Sequence, residues 1–290
     1  MNTGVSVYCF NAQLTEGETS LEDVVRFVGK ETEADCIEPL DRYWAEDRDV
    51  NEQAAAFRQL CNEVGLQVSC YTLSTDFAVY DEQAGRACIE KTTAALETAQ
   101  ILGTDIIRLD PHSTYGDRAK EDLDLDDVIA RMAGRMAEIA DAAAAKNMKA
   151  GIENHGRLVG RCAQVAKMVE LGARPNLGVN LDPTNFHNVF GEDHIAATRT
   201  LAKHVVHVHA KDFRFSKHPN EGWTQNAAGE YMQRVPAGAG DAGWPEMLGI
   251  LREHGYTGTV SVEISLPDDV KGSVAEGVTN IARLIAKTTA

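Results

Sequence analysis

The chain of 290 residues lacks the features that would place it in a membrane or in a disulfide-stabilised fold. Its six cysteines form no CxxC pair and no zinc-ribbon spacing, so reduced and mostly buried thiols are expected. No apolar run reaches the length of a membrane span, and the start MNTGVSVYCFNAQ lacks the basic and long apolar segments of a signal peptide. These absences predict a cytoplasmic protein.

Basic residues are also scarce. The chain has 28 lysines and arginines against 44 aspartates and glutamates, which gives a formal net charge of -16. Such a surface repels phosphate backbones and anionic lipid headgroups. The charge balance therefore argues against nucleic acids and membrane surfaces as partners.

Short β-rich segments alternate with long helix-like stretches. The segments cover residues 5–10, 36–39, 68–73, 106–110, 149–154, 177–182, 205–212 and 259–264. A strand followed by a helix, repeated about eight times, implies parallel strands joined by right-handed crossovers. The pattern is typical of an α/β protein.

The first predicted strand is not followed by a glycine-rich phosphate turn, because the sequence there is VSVYCFNAQLTEGE. An open doubly wound sheet normally has such a turn, so a single (β/α)8 TIM barrel spanning residues 1–290 is the favoured fold. No linker or composition shift divides the chain. The long segment at about 213–243 is expected to be irregular, and either covers an active site or forms a surface excursion.

Polar and apolar residues separate by parity in the last four predicted strands. Residues two apart in a strand share a face. The outer face of a barrel strand packs against helices and is apolar, so the polar residues are predicted to face the interior. These polar sets are Gly151, Glu153 and His155; Asn180 and Asp182; His207, His209 and Lys211; and Ser261, Glu263 and Ser265.

Four of these side chains, Glu153, Asp182, His209 and Glu263, are predicted to converge near the carboxyl ends of consecutive strands. Three carboxylates and an imidazole in a low-dielectric interior need compensation, which a divalent cation provides. Oxygen-rich ligation without a thiolate favours Mn2+, with Mg2+, Co2+ or Zn2+ as alternatives. Each residue alone has a simpler interpretation as an ion pair, a turn residue or a buried hydrogen bonder, but the same pattern in four strands argues against it.

Four segments resemble the xylose-isomerase-like TIM barrels of the sugar phosphate isomerase/epimerase superfamily. They are GIENHG at 151–156, NLDPTNF at 180–186, VHVHAKDF at 206–213 and GAGDAGWPEMLGILREHGYTGTVSVEIS at 238–265. The resemblance implies a divalent metal bound by the same four side chains, and a sugar or polyol chelated to it. In members that isomerise or epimerise ketoses, carboxylates at the positions of Glu153 and Glu263 also exchange protons with substrate carbon.

The chain departs at two positions from sugar epimerases of this kind. Asn185 stands where a histidine often follows the aspartate ligand, and His187 lies two residues further on. Phe215 stands where an arginine is often found, with Arg214 adjacent. Both departures argue against transferring a ketohexose-epimerase specificity.

His155 has the same inward parity as Glu153 and is predicted to lie at the mouth of the site. The resemblance suggests a catalytic base at this place in members that cleave oxidised glycosides by β-elimination; a supporting contact or a contact to a substrate hydroxyl is the alternative. His207 is predicted to support His209 rather than to bind the metal. Further candidate substrate contacts are Arg108, His112, Asn185, His187, Lys211, Arg214 and Trp223.

The leading functional hypothesis is a metal-dependent isomerase or epimerase that transfers a proton in a keto-sugar or related polyol through a metal-stabilised enediolate. A lyase or dehydratase acting by β-elimination, for example on a 3-keto-glycoside, would use the same residues. An abasic-site nuclease related to endonuclease IV would need further metal-binding histidines and a basic face, against which the charge argues. Ligand residues in all four strands argue against a non-catalytic binding barrel, and a homodimer or a partner subunit stays open.

Overall fold

The computed structural model describes residues 1–112 and 124–288. Its strands overlap the predicted segments, but the first begins earlier than predicted, and Val7–Phe10, predicted as strand, forms a 3-10 helix. Further strands lie in the segment that follows the seventh predicted strand. In chain order the strands are β1 (Asn2–Ser6), β2 (Cys36–Glu38), β3 (Gln67–Val68), β4 (Tyr71–Leu73), β5 (Ile106–Leu109), β6 (Lys149–Glu153), β7 (Leu177–Leu181), β8 (Val205–Ala210), β9 (Asp212–Ser216), β10 (Thr224–Gln225), β11 (Tyr231–Val235) and β12 (Thr259–Val262).

Nine of these strands form one parallel sheet in the order β3-β2-β1-β12-β8-β7-β6-β5-β4. β3 and β4 are two parts of a single predicted strand; β3 pairs with β2, and β4 pairs with β5. The amide of Thr72 donates to the carbonyl oxygen of Pro39 at 3.0 Å, and the amide of Ser69 donates to that of Ile37 at 3.1 Å. The second bond continues the pairing of β2 with β3, whereas the first joins β4 to the end of β2 and so closes the sheet. The fold is the predicted single TIM barrel.

The described helices surround the barrel. Several begin at an aspartate that caps the first turn, and several end before a glycine with positive φ, as at Gly65 and Gly103. The helices are α1 (Asn11–Thr15), α2 (Leu21–Glu31), α3 (Val50–Val64), α4 (Glu82–Leu102), α5 (Leu125–Ala144), α6 (Cys162–Gly172), α7 (Pro183–Phe190), α8 (His194–Leu201), α9 (Trp244–Glu253) and α10 (Val270–Thr288). None of them combines the length and the apolar character needed to cross a lipid bilayer.

The apolar residues of the alternating strands are fully buried in the core that the sheet forms with these helices. Ile152, Val179, Leu181, Val208 and Val262 each have 0% exposure. Their polar neighbours in the sequence are therefore left to face the barrel interior.

Part of the segment at 213–243, which was expected to be irregular, forms short strands. β9, β10 and β11 form a three-stranded antiparallel sheet in the order β10-β11-β9, which we call the ribbon. Phe215 pairs with Met232 and Phe213 with Arg234 across β9 and β11. Turn residues make up most of this segment, so its composition does not indicate the short strands.

Candidate metal centre and active site

The four side chains predicted as metal ligands come together at the carboxyl ends of β6, β7, β8 and β12. One donor atom from each of Glu153, Asp182, His209 and Glu263 lies within 4.8 Å of the others. We call these four residues the donor group. All four are buried, with exposures from 0% to 8%. Three carboxylates at this spacing repel one another unless positive charge lies close to them.

A reciprocal pair of hydrogen bonds fixes the backbone around Asp182. The side-chain amide of Asn154 donates to the carbonyl oxygen of Asp182 at 2.7 Å, and the backbone amide of Asp182 donates to Oδ1 of Asn154 at 2.9 Å. Oγ1 of Thr184 also donates to Oδ1 of Asp182 at 3.0 Å. The ends of β6 and β7 are therefore held together at the point from which Glu153 and Asp182 project.

Lys211 supplies one positive charge to the donor group. Its Nζ lies 2.6 Å from Oδ2 of Asp182 and 2.9 Å from Oε2 of Glu263. Burial opposes the charge on this ammonium group, but the neighbouring carboxylates outweigh burial and raise the pKa of Lys211 well above its ordinary value. Lys211 therefore remains charged at neutral pH.

The backbone around Lys211 is fixed by its neighbours. Asp212 accepts hydrogen bonds from the amides of Gly240 at 2.9 Å and Ala242 at 3.1 Å. The indole Nε1 of the buried Trp244 donates to the carbonyl oxygen of Lys211 at 2.9 Å. The segment GAGDAGW thus braces the strand end that carries Lys211.

Arg108 supplies the second positive charge, from β5. Its Nε donates to Oε2 of Glu153 at 2.6 Å, and Nη2 bonds to the same oxygen. Nη1 lies 3.2 Å from Oδ2 of Asp110 and donates to the carbonyl oxygen of Leu73 at 3.2 Å. The guanidinium therefore connects Glu153 to Asp110, a carboxylate with only 4% exposure.

His209 has carboxylates at both ring nitrogens. Nδ1 lies 2.9 Å from Oε1 of Glu153 and 3.1 Å from Oε2 of Glu263. Nε2 lies 2.9 Å from Oε1 of Glu38, whose other oxygen lies 2.9 Å from Nε2 of His207. Glu38 thus bridges the two histidines of VVHVHAKDF.

The contact with Glu38 sets the orientation of the His209 ring. A proton on Nε2 that points at Glu38 leaves the lone pair of Nδ1 directed at the donor group. Burial opposes a second proton on the ring, but Glu263, Glu38 and Glu153 outweigh it and raise the pKa of His209 well above its ordinary value. A proton and a cation would therefore compete for Nδ1.

Sequence reasoning missed Glu38, Asp110 and Asn154. The signal for the first two was present, because Glu38 ends the strand segment CIEP after the buried Ile37, and Asp110 alternates with buried Leu109. Parity alone would have placed both carboxylates inside the barrel. Asn154 gave no such signal.

A second group of donors, Glu38, Cys70 and His207, also lies within 4.8 Å. The carboxylate of Glu38 is already bound to His207, His209 and Thr72. Burial raises the pKa of the Cys70 thiol well above its ordinary value. We interpret this second group as support for His209.

A cavity of about 770 Å³ opens at the donor group. The predicted residues Glu153, His155, Glu263, Arg108, Asn185 and Lys211 line it. The wall also includes residues around the end of β1 and from the ribbon, among them Tyr8, Phe10, Asn11, Phe213, Thr224, Met232 and Arg234. A cavity of this volume suits a small organic ligand.

His112 is not among the described residues that line this cavity. It is 1% exposed, and its Nε2 accepts a hydrogen bond from the amide of Leu158 at 3.4 Å. Gly156 lies directly against the ring and has a φ of 79°; a Cβ there would come within 2.2 Å of His112. His112 therefore packs beneath the turn that follows β6.

Three further predicted substrate contacts also lie outside the described lining of the cavity. Nε2 of His187 lies 2.8 Å from Oε2 of Glu230, and its ring packs against that of Phe215 with centroids 4.8 Å apart. Arg214 is exposed on β9, and Trp223 lies in the turn before β10. His187 therefore connects α7 to the ribbon.

A family model described as xylose isomerase-like TIM barrel matches residues 28–284. The chain belongs to this family. A search of curated proteins returned no match. The predicted superfamily is thus confirmed by the match over most of the chain and by the fold.

Solved structures of xylose isomerase-like TIM barrels and related enzymes have the same fold. A xylose isomerase-like TIM barrel protein from Mycobacterium smegmatis in complex with magnesium is 16% identical, with a TM-score of 0.77 over 100% of this chain and 98% of that one. D-psicose 3-epimerase in the presence of D-fructose is 20% identical, with a TM-score of 0.70 over 99% and 98%. The probable 3-DHS dehydratase AsbF from Bacillus anthracis is 18% identical, with a TM-score of 0.70 over 97% and 99%. Identities this low establish the shared fold alone.

Proposed function

We propose that the protein is a divalent-metal-dependent isomerase or epimerase that moves a proton on a carbon next to the carbonyl of a keto-sugar or related polyol. The observation that carries this proposal is the buried donor group at a cavity of about 770 Å³. Groups with strong mutual repulsion are retained inside a core where a ligand or a reaction needs them.

The donor set fits a divalent cation. Glu153, Asp182 and Glu263 offer carboxylate oxygens and His209 offers Nδ1, and all are held by hydrogen bonds from other parts of the barrel. Oxygen-rich sets of this kind favour Mn2+ or Mg2+, and magnesium in the Mycobacterium smegmatis relative supports a cation of this class. When bound, the cation would act as a Lewis acid towards the substrate carbonyl. Mn2+ is our first choice.

Two carboxylates of the donor group are placed to exchange protons with a substrate. Glu153 and Glu263 both line the cavity, and β7 and β8 lie between their strands in the sheet. A carbon held between them can lose a proton to one carboxylate and accept a different proton from the other, which inverts its configuration; delivery of the proton to the neighbouring enediolate carbon moves the carbonyl group instead. Lys211 also lines the cavity and can bind a substrate oxygen.

A lyase or dehydratase is the second candidate, and the position of His155 favours it. This imidazole lines the cavity without belonging to the donor group, and so offers a base that the cation does not occupy. Where a leaving group is β to the deprotonated carbon, its loss completes an elimination. The similarity in fold to both an epimerase and a probable dehydratase is compatible with either outcome.

The test is a panel of keto-sugars, inososes and 3-keto-glycosides incubated in deuterated water with the Mn2+-loaded protein. We expect deuterium on the carbon next to the carbonyl of at least one compound, and loss of this exchange after chelation. A product isomeric with its substrate identifies the isomerase, and a released alcohol or water identifies the lyase. Metal-loaded protein that exchanges no proton in any of these compounds would overturn the proposal.

A further inference from the structure

We propose that Asp110 is a positioning residue that orients His155 as a proton-accepting base at the cavity wall. The inference rests on the proton-transfer function proposed above. Its starting point is the contact between Nδ1 of His155 and Oδ1 of Asp110, which are 3.0 Å apart. Both residues line the cavity, and the His155 side chain is 20% exposed whereas the Asp110 side chain is 5% exposed, so the imidazole is the more accessible of the two groups.

The two oxygens of Asp110 have different partners. Oδ1 faces His155, and Oδ2 lies 3.2 Å from Nη1 of Arg108. Burial opposes ionisation of this carboxyl, but Arg108 together with the neighbouring imidazoles of His155 and His112 outweighs burial and lowers the pKa of Asp110 below its ordinary value. Asp110 is therefore a carboxylate, and an acceptor, at neutral pH.

The backbone at Asp110 is fixed as well. The carbonyl oxygen of Asp110 accepts a hydrogen bond from Oγ1 of Thr75 at 2.6 Å, and that of Pro111 accepts one from the amide of Phe77 at 3.0 Å. These bonds tie the end of β5 to the segment after β4. The position of Asp110 is thus fixed, and Asp110 can orient the more exposed imidazole of His155.

The contact selects one tautomer of His155. A carboxylate has no proton to donate, so the neutral imidazole must place its proton on Nδ1 to bond with Asp110. The lone pair is then on Nε2, on the far side of the ring from Asp110, where it can accept a proton from a bound substrate. This division of roles between carboxylate and imidazole is general in enzymes that use histidine as a base.

The backbone turn that follows His155 is closely packed. Gly156 adopts a φ of 79°, and the buried His112 lies directly beneath it. A rigid turn and a fixed carboxylate leave the imidazole little freedom. Arg108 already bonds to Glu153, so the Asp110 carboxylate is not needed merely to neutralise the guanidinium.

The first experiment reads the tautomer directly, without substrate. Long-range proton–nitrogen NMR spectra of protein with ¹⁵N-labelled histidine, loaded with diamagnetic Mg2+, should show His155 protonated on Nδ1 and unprotonated on Nε2. The signals are assigned with His155→Gln. Asp110→Asn should change this pattern, whereas Asp212→Asn, which alters another buried carboxylate, should leave it unchanged. A proton on Nε2 in the unaltered protein would overturn the inference.

The second experiment is a double-mutant cycle on whichever substrate shows exchange. We expect His155→Gln to lower kcat by about a hundredfold to ten-thousandfold, and Asp110→Asn to lower it by about tenfold or more, with metal content unchanged. KM should stay within about threefold, because neither change removes a ligand of the cation. If Asp110 acts through His155, the double variant should be no slower than His155→Gln alone; additive losses would overturn the inference.

The two experiments separate this inference from the proposed function. If no substrate exchanges a proton, the function fails, and the NMR spectra still decide whether Asp110 sets the tautomer. If exchange occurs but the cycle is additive, the function stands and the positioning role fails. Asp110→Glu, which keeps the charge, should recover part of the activity lost in Asp110→Asn.

Discussion

The two sides of the barrel contribute different groups to the site. β6, β7, β8 and β12 carry the donor group, whose atoms face one another. β2, β5 and the residue that follows β5 carry the support residues, which we define as Glu38, Arg108 and Asp110; each contacts a proposed metal ligand or base. One side of the barrel therefore supplies the proposed metal ligands, and the other side supplies residues that orient the ligands and the proposed base.

Removal of a donor should have the largest effect. Glu263→Gln keeps the shape of the side chain but removes a charge from the donor group. Because metal-assisted reactions gain several kcal/mol from the ion, we expect a loss of metal content and a fall in kcat/KM of about a thousandfold or more. Metal analysis and exchange kinetics measure the two effects.

The matched control is Glu276→Gln, at an exposed glutamate on α10. It should bind metal and turn over substrate like the unaltered protein. Full metal occupancy together with unchanged turnover in Glu263→Gln would contradict the assignment of the donor group.

Alteration of a support residue should have a smaller effect. Glu38→Gln removes the charge that faces Nε2 of His209 but leaves all four donors in place. Loss of such an outer contact typically costs about tenfold to a hundredfold in metal affinity or activity, which a metal titration would measure. The exposed Glu33→Gln is the control. A loss as large as that of Glu263→Gln would erase the distinction between the two sides.

The sequence predicted the donor side better than the support side for a physical reason. Alternation along one strand reports which face a side chain occupies, and this was enough to bring Glu153 and His209 together. It does not report the partner across the barrel, and Glu38 lies 171 positions from His209 in the chain. The tertiary contact that gives Glu38 its role is therefore invisible to local patterning.

Side chains in the turns and helices beyond the strand ends were harder to place than side chains in or next to a strand. His112 comes shortly after β5, yet the positive φ at Gly156 lets the next turn cover it. His187 lies on α7 and contacts the ribbon, which was itself expected to be irregular. Strand parity does not extend into such segments, so their side chains are located only by the fold.

Strain in the turn that carries the proposed base should have a moderate effect on stability. Gly156→Ala forces a non-glycine residue to a φ of 79° and brings its Cβ against the His112 ring. We expect a loss of about 1–3 kcal/mol in the free energy of unfolding, measured by denaturant titration. Gly134→Ala in α5 is the control, since a Cβ there meets no atom within 4 Å. That change should be neutral or stabilising by up to about 1 kcal/mol, and equal losses at both glycines would refute the role given to the turn.

The smallest effect should come from the ribbon, where two arginines can be compared directly. Arg234 on β11 lines the cavity, whereas Arg214 on β9 lies outside its described lining. Because an exposed arginine gives a modest share of ligand binding, Arg234→Ala should raise KM by about threefold to tenfold with little change in kcat. Arg214→Ala should leave both parameters within about twofold. Equal effects of the two substitutions would mean that the ribbon influences the site through its stability, and not through contact with the substrate.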